Sequence, residues 1–440
     1  MQRKESMRWN TVKFALWAAA FVWPATTGAQ TVEQFRKELE AHKKRTAELE
    51  NRINQLEAGQ KLKERSLSQR INEVAERAEV KEPAAGLPDD LKWLEKIKIS
   101  GDLRYRYEYI DLEDRTTRNR NRIRARLMIS AMVNDEWDVA FRMATGETDL
   151  IDDTLIADPV STNQTLGKFS SRKDFWLDLA YFDYHPTAVE GLNVLGGKIE
   201  NPFHVVGKNQ LMWDGDLNPE GVALKYAKGL GESATVHVSG GGFWLNEESS
   251  DADTSLWGVQ AYLKQDLGNS DYVLAGAGWY DYGNLQSLED EFGIGFGNTL
   301  VDDEWVNDYD ILELFAEYGT EVAGLPVALF GTWVENTAAT TSGDTAWLAG
   351  ATVGKAKDPG SWQFGYDYRD VERDAVLAVW NDSDFAAGRT GAEGHVLRFG
   401  YQAFKNVQFA LTYFCNELVE RAPEPDRNYQ RFQADLKLKF

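Results

Sequence analysis

Arg431-Phe432-Gln433-Ala434-Asp435-Leu436-Lys437-Leu438-Lys439-Phe440 is the stretch from which the fold can be read. Phe432, Ala434, Leu436, Leu438 and Phe440 fall on one face of an extended strand. Arg431, Gln433, Asp435, Lys437 and Lys439 fall on the other. Side chains alternate along a strand with a period of two, so this segment separates an apolar surrounding from a polar one. Trp362, Phe364, Tyr366 and Tyr368 alternate with Gln363, Gly365, Asp367 and Arg369 in the same way. So do Val407, Phe409, Leu411 and Tyr413 with Gln408, Ala410, Thr412 and Phe414.

Upstream, such segments recur back to Ile97. They centre near 97–109, 119–132, 137–146, 175–185, 192–200, 220–227, 233–245 and 255–265, then near 271–282, 310–320, 326–335, 344–355, 361–371, 394–403, 407–417 and 428–440. That is about sixteen strands. Short connections such as 134–135, 266–270 and 405–406 alternate with long ones at 147–174, 201–219, 284–309 and 372–393. Short turns on one rim, long loops on the other and an even strand number predict an all-β transmembrane barrel of antiparallel strands. Closure removes the sheet edges, and sixteen strands leave room for a lumen. Trp137, Trp257, Trp279, Trp305, Trp333, Trp347 and Trp362 lie at segment ends, where interfacial aromatic girdles sit.

Composition fits this reading and excludes others. The 440 residues carry 48 Lys+Arg against 70 Asp+Glu, a formal net charge of −22, which repels nucleic-acid phosphate. Aromatics at 12 % are too plentiful for a disordered chain, and one Cys cannot pair within it. Mean hydropathy is −0.47, and no apolar run reaches the ~18 residues of a membrane helix. The five His are scattered, no Gly-x-Ser-x-Gly or phosphate loop occurs, and His237 and Ser239 have no identifiable acid partner. Catalytic residues, a metal site and a cofactor are therefore not expected, and the chain does not read as an enzyme.

The first 29 residues have the three-part layout of a secretory signal. Arg3, Lys4, Arg8 and Lys13 precede an apolar run at 14–23, and Thr27-Gly28-Ala29 offers small residues before Gln30. From 30 to 82 apolar residues step by three and four: Val32, Phe35, Leu39, Leu49, Ile53 and Leu56, then Leu67, Ile71, Val74 and Ala78. This heptad seam predicts an N-terminal α-helical coiled-coil segment, either a trimerising periplasmic stalk or a single solvated or back-packed helix. Pro83, Gly86 and Pro88 fall in a linker at 83–96, and the barrel occupies 97–440.

Chemistry concentrates in the second segment. Period two puts Arg120, Arg122, Arg124 and Arg126 on one face, with Ile123, Ala125, Leu127 and Ile129 opposite. An arginine facing lipid costs ~2–4 kcal/mol near the midplane, so the row faces the lumen. Arg104, Arg106 and Arg142 on neighbouring segments join that wall. Either these guanidiniums attract anions, or internal carboxylates neutralise them and they stiffen the wall. Loop 201–219 carries Lys208, Asp214 and Asp216, with Glu220 at its end; it either folds inward as a constriction or lies on the rim. Loop 284–309 holds Glu289, Asp290, Glu291, Asp302, Asp303, Glu304 and Asp308, either a divalent-cation site bridging lipopolysaccharide or a solvated acidic loop. Cys415 continues an apolar face and reads as a small hydrophobe.

Residues 158–167 (DPVSTNQTLG), 207–221 (GKNQLMWDGDLNPEG) and Asn201-Pro202-Phe203 resemble the proteobacterial "putative porin" family over roughly 97–440. More distantly, the layout is similar to that of phosphate-selective porins. The resemblance implies a pore-forming barrel in the bacterial outer membrane and a third loop turned inward. The terminal Phe432, Leu436, Leu438 and Phe440 resemble the insertion signal of outer-membrane proteins. Expected partners are outer-membrane lipid and lipopolysaccharide, the barrel-assembly machinery, two further copies in a homotrimer and peptidoglycan through the stalk, with no nucleic acid. The expected function is passive diffusion of small hydrophilic solutes, leaning to anions because of the arginine wall. The net negative charge of the barrel region argues for cations instead. The alternative is a trimeric tether between outer membrane and cell wall.

Overall fold

The computed structural model describes residues 89–440 apart from 152–153, 250–251, 287, 289–294 and 420–424, together with Glu40 and Lys44. The chain divides into two units, Met1–Leu87 and Pro88–Phe440. The signal segment, and the coiled coil apart from Glu40 and Lys44, lie outside the described residues.

A short 3₁₀ helix, Asp89–Lys96, leads into sixteen long strands. They are β1 (Ile97–Leu112), β2 (Arg118–Asn134), β3 (Trp137–Thr145), β4 (Phe175–Tyr184), β5 (Leu192–Lys198), β6 (Glu220–Leu230), β7 (Ala234–Asn246) and β8 (Thr254–Gly268). The second half comprises β9 (Asp271–Gly283), β10 (Tyr309–Val322), β11 (Leu325–Asn336), β12 (Thr345–Gly354), β13 (Trp362–Val371), β14 (Ala392–Phe404), β15 (Val407–Leu418) and β16 (Arg427–Lys439). Each strand pairs antiparallel with the next. β16 pairs with β1, Lys437 opposite Arg104 and Asp435 opposite Arg106, so the sheet is closed. The ends meet at Gly101 and Phe440, which exchange two backbone hydrogen bonds of 3.1 Å.

The alternation works as the period requires. Leu103, Tyr105, Phe141, Leu177, Trp257, Leu314, Leu329 and Phe409 are exposed on the outer face. Arg106, Glu108, Arg122, Arg431, Gln433 and Asp435 are buried on the inner face. Two-residue turns at Asn269-Ser270 and Ala323-Gly324 take positive φ at both positions, the hand that matches strand twist.

The interior departs from a uniformly polar lining. On the side of β7 to β13, Phe243, Tyr280, Ile311, Val334 and Leu348 point inward and pack against residues of the long loops. Trp305 belongs to this packing. It is 5 % exposed on a hairpin inside loop 284–308, and its ring lies edge-on to Tyr309, so it is no part of an outer girdle. The wall from β16 through β1 and β2 to β3 is charged, with Arg431, Asp435, Arg104, Arg106, Glu108 and Arg122 buried on it.

Candidate functional site: the charged wall and the loops that cross the lumen

Register decides how the arginines meet. Across β1 and β2, Asp102 faces Arg126, Arg104 faces Arg124, Arg106 faces Arg122 and Glu108 faces Arg120. Arg126 and Arg124 both donate to Asp102, at 2.7 and 2.8 Å. Arg120 donates to Glu108. Arg106 donates to both oxygens of Asp435, at 2.6 and 2.9 Å, and to Asp384 at 3.1 Å. Arg431 bridges Glu108 at 2.8 Å and Asp384 at 2.7 Å. Arg142 pairs with Asp178 and with Glu200, and Arg122 reaches Glu147 at 3.3 Å. Six of the seven arginines singled out above therefore hold a carboxylate; the seventh, Arg104, donates to the side-chain oxygen of Asn163 at 2.5 Å instead. Buried pairs of this kind gain little net stability, but removing one partner costs about 3–5 kcal/mol because a charge is left behind.

Three loops close on this wall. In the first, Gln164–Thr165 pairs with Ile123 and Arg122 of β2. That holds Asn163 beside Arg104, and its backbone oxygen accepts from Arg122 at 3.2 Å.

Loop 199–219 leaves β5 and crosses to the far wall. The His204 amide donates to Gln260 at 2.7 Å and the Gly207 amide to Glu317 at 2.9 Å. The Asn209 side chain donates to Thr332 at 3.2 Å. Gly207 has φ 58°, and a Cβ there would stand 2.4 Å from the Phe330 ring, so only glycine fits. On the way back Asp216 pairs with Arg126 at 3.4 Å and Arg124 at 3.6 Å and accepts from the Thr162 hydroxyl at 2.8 Å. Burial raises the Asp216 carboxyl, but the guanidiniums of Arg124, Arg104 and Arg126 outweigh that and hold it below the usual carboxylate range. Asp214 takes the opposite course. Burial, then the charges of Asp216 and Asp382, push it well above its ordinary value. Lys208, at φ 53°, is exposed and has no carboxylate partner among the described residues. Glu220 stands apart from this group, as the first residue of β6 paired with Lys198 at 2.7 Å.

Loop 372–391 was not anticipated as part of the site. Val376, Leu377, Ala378 and Phe385 are buried inside the barrel. Fully buried Arg369 pins it, pairing with Asp367 at 2.7 Å and Asp382 at 2.6 Å and lying over the Phe385 ring. It locks to the previous loop, since Asp214 donates its amide to Trp380 at 2.8 Å and accepts from the Ser383 amide at 2.9 Å. The signal in the sequence is an apolar run, Ala375-Val376-Leu377-Ala378-Val379-Trp380, placed between Asp374 and Asp382 in a connection.

The loops leave two cavities. One of about 450 Å³ lies against the arginine wall and one of about 810 Å³ lies against β5 to β8; Arg126, Lys208, Gln210, Asp214 and Gly215 line both. Phe432, Leu436 and Leu438 lie on the outer face of β16, and Phe440 is 67 % exposed. Cys415 is exposed on β15. Among the described residues no group of His, Cys, Asp or Glu is placed to hold a metal ion. Glu289, Asp290 and Glu291 of the acidic loop lie outside the described residues.

The sequence matches the family described as "Putative porin" over residues 111–304 and 312–440. No curated protein sequence matches the chain. Among solved structures, Pseudomonas putida OprB aligns at a TM-score of 0.53 and 14 % identity, over 81 % of this chain and 96 % of that one. Salmonella typhi OmpF aligns at 0.48 and 12 %, over 78 % and 97 %. Vibrio cholerae OmpT, as a loop-deletion mutant, aligns at 0.45 and 13 %, over 78 % and 99 %.

Proposed function

The chain belongs to the "Putative porin" family, and from that premise we propose that it is an outer-membrane channel for small hydrophilic solutes with a weak preference for anions. The observation that carries the proposal is the closed sixteen-strand barrel with an apolar outer face, a charged inner wall and cavities beside that wall. An apolar belt outside and polar groups inside suit a wall with lipid on one side and water on the other.

Selectivity follows the narrow part of such a path and not the total charge. There the carboxylates are largely consumed by arginines, while Arg104 and Lys208 have none. Burial and the charges of Asp216 and Asp382 raise the Asp214 carboxyl well above its ordinary value, which weakens its contribution of negative charge. What remains is locally positive, although the whole chain carries −22. The loop from β5 acts as the constriction, with Lys208 at its tip. In this reading the barrel is inserted through its terminal Phe440 strand, sits among lipopolysaccharide and lipid, and assembles as a homotrimer.

The deciding experiment is the reversal potential of the purified protein in a planar bilayer under a KCl gradient. Stepwise conductance reversing on the anion side is the expected result. Reversal on the cation side retains the channel and hands selectivity to the acidic loops. Absence of conductance from folded protein overturns the reading.

A further inference from the structure

The arginine wall is not uniform. Arg106 lies between Arg122 and Asp435 on the two adjacent strands, so a carboxylate stands on one side of it. Arg104 lies between Arg124 and Lys437, so both of its cross-strand neighbours are cations. Like charges directly opposite one another on a sheet are destabilising. Arg104 is only 8 % exposed, it makes no ion pair among the described residues, and its Nε has no hydrogen-bond partner. The nearby carboxylates are committed elsewhere: Asp102 to Arg124 and Arg126, Asp435 to Arg106, and Asp216 to Arg124, Arg126 and Thr162. A buried guanidinium between two cations with donors to spare has the electrostatics of an anion site awaiting its anion.

The space in front of it fits. The cavity of about 450 Å³ is lined by Arg104, Lys437 and, from the crossing loop, Lys208. Lys437 is 31 % exposed and is held only loosely by Asp435, at 3.6 Å. The same lining holds the carboxylates of Asp216 and Asp384, each paired with two arginines, and that of Asp214, while Gln210 and Thr412 add neutral donors and acceptors.

We propose that Arg104, Lys437 and Lys208 form a saturable binding subsite in the lumen for the oxyanion group of a small solute, a carboxylate or a phosphate. This deepens the channel reading and rests on it for its purpose. It turns a general anion preference into a defined station, centred on Arg104, which among the seven arginines singled out has no carboxylate partner in the described residues.

The test is equilibrium dialysis of the folded full-length chain in detergent, at low ionic strength, against inorganic phosphate and separately against acetate. The expected result is saturation at one site per chain, weakened tenfold or more by Arg104→Gln and partly restored by Arg104→Lys. Saturation by phosphate alone assigns the subsite to phosphoryl groups; saturation by acetate as well assigns it to oxyanions in general. Lys208→Gln, at an exposed loop position that leaves the wall intact, is expected to weaken binding severalfold and serves if Arg104→Gln does not fold. Lack of saturation with either probe, or equal affinity in these variants and the parent, overturns the proposal. Bilayer conductance read in parallel separates the two ideas. Conductance without saturable binding removes the subsite and keeps the channel, and binding without conductance does the reverse.

Discussion

Glu108 is fully buried and faces three guanidiniums, those of Arg106, Arg120 and Arg431. Glu108→Ala would leave those cations short of their shared anion inside the wall. The expected loss is about 3–5 kcal/mol, read as a lower urea midpoint for the heat-modifiable folded band on electrophoresis. Asp214 gives a second prediction, in pH. Its folded carboxyl holds a proton at pH values where the unfolded chain has released it, so folding takes up a proton in that window. Loop docking is therefore at full strength below the ordinary aspartate value and is lost as pH rises through the higher folded value. Limited proteolysis between 201 and 219 should accelerate with rising pH in the parent and stay flat in Asp214→Asn. At this scale the sequence was half legible. Period two tells which face each arginine takes, because the alternation is local. It cannot tell that Asp102 would serve two arginines or that Arg104 would have none, because those facts depend on register and on Asn163, which arrives from a loop.

At the scale of elements, the strands were readable and the course of loop 372–391 was not. Each of the sixteen strands lies within a few residues of its alternating segment, since a wall between lipid and water leaves one pattern available. The inward course of loop 372–391 left a weaker trace. An apolar run in a connection is compatible with a rim, a partner or a core, and it is the pairing of Arg369 with Asp382, with the bonds of Asp214 to Trp380 and Ser383, that holds it inside. Replacing 374–390 by a short Gly-Ser turn is expected to raise single-channel conductance severalfold, with the barrel retained by electrophoretic mobility. Gly207→Ala tests the other loop. The added methyl meets Phe330 at a backbone conformation that disfavours alanine, so the tip must lift from β11. Conductance should again rise, by less than in the deletion, and ion preference should weaken as Lys208 moves with the tip.

The whole molecule joins two units, and only the second carries the wall described above. Deleting 30–82 distinguishes a channel from a tether. A channel keeps its conductance and reversal potential in a cell whose envelope stays intact, whereas a tether gives a cell with a leaking envelope. The overall charge of −22 misleads about selectivity because it averages over rims and loops that a solute passes at a distance. The wall itself can be read only once the strands are in register.

Closure of the barrel also has a consequence in time. The bonds joining Gly101 to Phe440, and the pair between Arg106 and Asp435, link residues more than three hundred positions apart. They cannot form until the last strand has been synthesised and delivered, so the slowest search in folding comes at the end. Until then the chain is an open sheet with two bare edges, and Arg106 and Arg431 have yet to meet their carboxylates across the seam. A truncated chain would stall at that stage with its charges unmatched, which makes the final strand the checkpoint through which a finished barrel must pass.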